Sequence, residues 1–168
     1  MTGDGRGFVT SRARDEAHIR PCHERSPPGG RLCVNSTAKR LRAGLLALAA
    51  LQTLVSVWQY VFPRSFYDDF PTVRLDPPYN EHLLSDVGGL GLALTAMLFY
   101  AAWVMDRRVV VSALTGYVVY AGTHFLFHVR HFDHFSLRDA IGVGTGLGLE
   151  WALALVLLYV AWRRHGAS

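Results

Sequence analysis

The chain has 168 residues, 51% of them hydrophobic, and a formal net charge of +4. That size allows one domain, and a positive mean hydropathy of +0.19 places it in a membrane rather than in free solution. Nucleic acid is not the expected partner, because the 17 basic residues gather in the N-terminal tail and at the ends of apolar runs instead of forming a patch.

Residues 1–36 are rich in Gly, Pro, Ser and Arg and show no periodic apolar face. They cannot bury enough surface to offset the entropy of ordering, so the expectation is a disordered cytoplasmic tail, followed by a membrane domain over 37–168. Cys22 and Cys33 lie in this tail and read as free reduced thiols. Together with His18 and His23 they match no recognised zinc spacing.

Four apolar segments follow, at about 41–62, 83–105, 109–131 and 140–162. Each is near the ~20 residues that cross a hydrocarbon core of about 30 Å. Pro63 stops the first, and Ser136-Leu-Arg-Asp139 has the pattern of a capping box before the last. The expected fold class is all-α, a four-helix transmembrane bundle with a lipid bilayer as its surroundings. Lys39, Arg40, Arg42, Arg107, Arg108, Arg163 and Arg164 flank the spans on one side, which puts both termini in the cytoplasm and both longer loops outside an inner membrane.

Glycines recur within the spans. Gly142/Gly146 and Gly144/Gly148 form overlapping small-xxx-small patterns, and Gly88, Gly89 and Gly91 cluster in the second span. Such residues let a neighbouring helix approach closely, and they also suit a homo-oligomer or a place in a larger membrane complex. Gln52 reads as an interhelical hydrogen-bond partner. The first long loop, FPRSFYDDFPTVRLDPPYNEH, carries Phe66, Tyr67, Phe70 and Tyr79, as an interfacial segment or a lid would.

The third span ends in HFLFHVRHFDHF. At about 100° per residue, His124, His128 and His131 fall in a stripe roughly 60° wide. Ionisable groups in a membrane are costly, so the stripe should face the bundle interior. Counting ~1.5 Å per residue brings Asp86 to the depth of His128, with His82 one turn away on the same face, and puts Glu150 near the bilayer centre within reach of His124. Three chemistries remain open. A transition metal would be held by His82, Asp86, His124, His128 and His131. Haem would take one histidine of the stripe with His82 as its axial pair. A proton or ion relay, or a transporter subunit built on one, would run through His128–Asp86 and His124–Glu150, with Glu81 and Asp133 at its mouth. No substrate or reaction is legible, and a non-catalytic subunit of a membrane complex fits the glycine faces equally well.

The motifs FYDDFP, PYNEHLLSDVGG and HFLFHVRHFD resemble those of a family of small four-span membrane proteins common in actinobacteria, with FYxxFP, PYNEHxxxDVG and HxxxHxxHxD patterns. The likeness covers roughly residues 43–162. It implies the four-span fold without assigning a reaction, and its pattern marks Glu81, His82, Asp86, His124, His128, His131 and Asp133. Where the family often has Pro before the first histidine of the last motif, this chain has Thr123.

Overall fold

The computed structural model describes residues 28–75 and 78–164. It is all-α, with no strand among the described residues. Helix α1 covers Pro28–Val61, a short α2 Pro63–Asp69, α3 Glu81–Val104, α4 Arg107–Arg130 and α5 Leu137–Arg163. Within α1 the stretch Ser36–Val61, and the whole of α3, α4 and α5, are 24–27 residues each and apolar enough to cross a membrane. At ~1.5 Å per residue that is about 36–40 Å, more than a hydrocarbon core requires. Large apolar side chains such as Leu54, Trp103, Val119 and Leu149 stand exposed on the outside of the bundle, as a lipid-facing surface demands.

Local chemistry sets the element ends. Pro63 has no N–H to continue α1, and it opens α2 at a position where none is needed. Asn80 caps α3 by accepting from Leu83 N at 3.1 Å. Ser136 caps α5, accepting from Asp139 N at 3.3 Å while its hydroxyl donates to Asp139 Oδ2 at 2.7 Å. The N-cap half of the box is therefore present, while Asp139 accepts from the Ser136 hydroxyl, and α5 starts at Leu137, three residues before the apolar run suggested. At the other boundary α1 begins at Pro28, ahead of the expected tail limit at 36. Residues 1–27, with His18, Cys22 and His23, lie outside the described residues.

Only Met105 and Asp106 separate α3 from α4. Met105 adopts a left-handed φ of 55° and donates its N–H to Ala101 O at 2.9 Å; Asp106 then accepts from Arg108 N and Val109 N. The end of the bundle with this tight connection is called the turn end, and the opposite one, with segments 62–80 and 131–136, the loop end. At the turn end Arg42 and Arg107 each point a guanidinium at the last carbonyls of a neighbouring helix, Trp103 O and Trp162 O, both at 3.4 Å. Cations at the negative ends of helix dipoles are stabilising.

The helices pair as α1 with α3 and α4 with α5. The first seam depends on two glycines, since a Cβ on Gly88 would come within 2.8 Å of the Tyr60 backbone nitrogen and one on Gly91 would overlap the Ser56 hydroxyl. Gly122 plays that part between α4 and α5, against the Trp151 indole. The close-packed core, from Leu41, Leu45 and Leu48 to Leu98, Leu114 and Leu157, occupies the turn-end half of the bundle. The α5 glycines behave differently from expectation. Nothing lies within 4 Å of a Cβ on Gly142 or Gly146, and Gly144 and Gly148 meet only the rings of Phe132 and Phe125. Gly144 and Gly148 thus receive aromatic rings at the α4 end, while Gly142 and Gly146 clear space.

Candidate functional site: a cavity in the loop-end half

The cleared space is part of a cavity of about 800 Å³ in the loop-end half, lined from every helix. Leu51, Gln52, Val55 and Gln59 of α1 form one wall, and Leu83, Leu84 and Val87 of α3 the next. Helix α4 contributes Tyr120, Ala121, His124, Phe127 and His128, and α5 contributes Gly142, Val143, Gly146, Leu147 and Glu150. The walls are mostly apolar. Polar groups gather at the rim (Asn80, Arg138, Asp139) and at the floor (Gln52, Glu150). A concave, largely apolar volume with a few convergent polar groups is the usual form of a small-molecule site.

The cap is the aromatic loop. Phe66, Tyr67 and Phe70 from α2 and its C-cap, with Pro71, Thr72 and Val73, line the cavity at its loop end. Phe66 is only 4% exposed. It stacks on Phe70 at 4.7 Å and meets Trp58 of α1 edge-on at 5.8 Å, while Trp58 Nε1 donates to Ser65 Oγ at 3.2 Å. On the outer surface of the cap Arg64 lies over the Tyr79 ring at 5.0 Å and binds Asp68 through Nε at 2.7 Å. The Asp68 carboxylate pushes the Arg64 pKa further up, and partial burial followed by Glu81 raises that of Tyr79. The loop thus folds into a short helix and a 3-10 turn at Val73–Leu75, packed over the cavity.

On α4 three rings climb the wall at i, i+4 and i+8. Tyr120 and His124 lie parallel with centroids 6.1 Å apart, and His124 and His128 meet edge-to-face at 4.8 Å. His131 continues the stripe but sits past the helix end, exposed, its Nδ1 2.7 Å from Phe127 O and its ring stacked on Phe127 at 4.3 Å.

The floor holds groups the sequence reading missed. The Tyr117 hydroxyl, on the largest of the fully buried side chains, lies 3.1 Å from Gln52 Oε1 and hydrogen-bonds Glu150 Oε1. Gln52 Nε2 in turn donates to Ser56 Oγ at 2.9 Å. The expected interhelical role of Gln52 is therefore present, with Tyr117 as its partner. Tyr117 was detectable from position alone: it lies 13 residues from the α4 end at Arg130 (130 − 117), and Glu150 lies 13 from the α5 start at Leu137 (150 − 137).

The expected five-residue ligand set is not gathered in one place. His124 and His128 line the cavity. His82 and Asp86 instead pair with one another at 3.4 Å on an exposed flank of α3. The reason is azimuth: Gly88 and Gly91 must meet α1, and at about 100° per residue this turns positions 82 and 86 roughly to the opposite side of the helix. Equal depth does not bring Asp86 to His128, nor does His82 join the stripe as a second axial ligand. Glu81 begins α3 exposed, and Asp133 lies exposed in the 3-10 turn Phe132–His134; neither lines the cavity. Among the described residues no three His, Cys, Asp or Glu side chains converge to hold a metal ion. No family model, no curated protein and no solved structure matches this chain.

Proposed function

We propose that this chain is a multi-pass inner-membrane protein that binds a small, lipid-soluble molecule in the loop-end cavity, positioned by His124 and His128. The supporting observation is the cavity itself. About 800 Å³ is bounded by all four long helices and a built aromatic cap, with two imidazoles on an otherwise apolar wall. A volume of that size suits a ring system with one or two hydrogen-bonding groups, such as a quinone. Haem held by a single axial histidine fits the same description, whereas the His82 ligation once expected does not. The loop end is assigned to the outer side, because Lys39, Arg40, Arg42, Arg107, Arg108, Arg163 and Arg164 cluster at the turn end. The resemblance to the actinobacterial four-span family is compatible with this site. Its FYxxFP motif forms the cap, PYNEH reaches the rim at Asn80, and the histidine motif supplies the wall.

Gly146→Leu tests the reading without touching a polar group. The new side chain has open space to enter, so it fills the cavity and leaves the helix seams alone. Wild-type protein purified in detergent should carry a compound detectable by organic extraction and mass spectrometry, or bind added haemin or a short-chain benzoquinone, with a Soret band identifying haem. Gly146→Leu should lose that binding, and His124→Ala with His128→Ala should weaken it at least tenfold. Wild-type protein that carries nothing and binds neither probe would overturn the proposal, as would undiminished binding in Gly146→Leu.

A further inference from the structure

The hydrogen-bonded chain on the cavity floor has a proton count that constrains its chemistry. Tyr117 owns one hydroxyl proton and has two oxygen neighbours, Gln52 Oε1 and Glu150 Oε1. An amide oxygen can only accept. With the amide oriented as it stands, each of these contacts has its proton when Glu150 is protonated. The carboxyl then donates to Tyr117, Tyr117 to Gln52, and Gln52 to Ser56. Rotating the Gln52 amide by 180° exchanges its oxygen and nitrogen and leaves every heavy-atom position in place. Ser56 now donates to Gln52, Gln52 to Tyr117, and Tyr117 to an ionised Glu150. The same scaffold therefore satisfies both protonation states.

Position makes this consequential. Gln52, Ser56 and Tyr117 are all at most 5% exposed, so a donor or acceptor left unpaired there would be costly. Glu150, by contrast, is half-buried and lines the cavity. It has both a satisfied network behind it and a route in front of it. The charged and titratable groups sharing that route are Tyr120, His124 and His128 from α4, Arg138 and Asp139 from α5 and Tyr67 from the cap; the cavity walls of α1 and α3 contribute only uncharged side chains.

We propose that Glu150 is a reversible proton-binding site at mid-depth in the membrane, exchanging with the loop-end side through the cavity, with Tyr117 and Gln52 as positioning residues. On release the carboxyl O–H bond breaks, the proton passes to water in the cavity and leaves at the loop end, and the amide turns over to keep the carboxylate hydrogen-bonded. A molecule filling the cavity excludes that water and holds the site in whichever state it finds. The site itself requires no bound ligand, so it stands or falls separately from the binding reading.

The experiment is difference infrared spectroscopy of the wild-type protein in lipid vesicles, titrated from acid to alkaline pH with no added ligand. A protonated-carboxyl C=O band should vanish reversibly as pH rises and should be missing in Glu150→Gln. Tyr117→Phe keeps the ring and removes the hydroxyl that donates to the carboxylate. It should move the midpoint of that band upward by about one pH unit, a tenfold change, because the hydrogen bond lost from the carboxylate is stronger than the one lost from the neutral carboxyl. Gly146→Leu should slow the response to a pH jump and, by excluding water beside the carboxylate, move the midpoint upward as well. A band that survives in Glu150→Gln, that does not titrate, or whose midpoint is the same in Tyr117→Phe would overturn the proposal.

Discussion

Replacing Gly91 by Ala adds one methyl group, and the structure specifies where it goes. The new Cβ overlaps the Ser56 hydroxyl, lies 2.6 Å from Gln52 Nε2 and 3.0 Å from Ser56 Cβ. Forcing extra volume into a packed seam costs about 1–3 kcal/mol. Displacing Ser56 also breaks its bond from Gln52, worth about 1 kcal/mol. Against this, alanine is favoured over glycine within a helix by about 1 kcal/mol. Overpacking wins, and the expected net loss is about 1–3 kcal/mol. Gly116→Ala is the matched control, because nothing lies within 4 Å of a Cβ there and only the favourable helix term remains. The same chemical change should therefore shift stability in opposite directions at two positions. Unfolding in mixed micelles with increasing sodium dodecyl sulfate, followed by helical circular dichroism, measures both. Adding Ser56→Gly to Gly91→Ala should recover part of the loss, since the remaining close atom belongs to a flexible amide. If Gly91→Ala proves as stable as the wild type, the α1–α3 seam is not the close approach described here.

Phe66→Ala removes the buried ring that ties the cap to Trp58. A loss of about 3–5 kcal/mol, typical of a core aromatic, exceeds what a seven-residue helix can absorb, so the cap should open locally. Proteolysis at residues 63–75 should accelerate while the bundle's unfolding midpoint changes little. Asp106→Ala deletes the side chain that accepts from Arg108 N and Val109 N. Losing this N-cap should cost about 1 kcal/mol in the same micelle titration.

Much of the architecture was legible because membrane spans are written in one dimension. Length and apolar content located four helices, Pro63 marked the end of α1, and the Ser136–Asp139 pair marked the start of α5. The short connection expected at 132–138 makes α4 and α5 neighbours, as they are. What depth could not supply was azimuth. Asp86 and His128 were matched by distance along their helices, yet the direction of each side chain depends on which face packs. On α3 that face is set by Gly88 and Gly91, whose approach to α1 turns Asp86 away. The α5 glycines carried the opposite ambiguity, since an absent side chain admits either a neighbouring helix or an empty volume. Only the arrangement of all four helices decides between the two. Tyr117 escaped notice because a lone tyrosine in an apolar run looks like packing until an acid at its own depth is placed beside it.

The two-residue connection between α3 and α4 also bears on how the two helices cross the membrane. Two residues reach at most about 7 Å, a small part of the ~30 Å hydrocarbon layer. The connection therefore stays at one face of that layer, and α3 and α4 cross it as an antiparallel hairpin with Arg107 and Arg108 at its apex. An error in the orientation of one is then an error in both. The Asn80 rim on α3 and the imidazole wall on α4 therefore reach the same side of the membrane by the length of this connection alone.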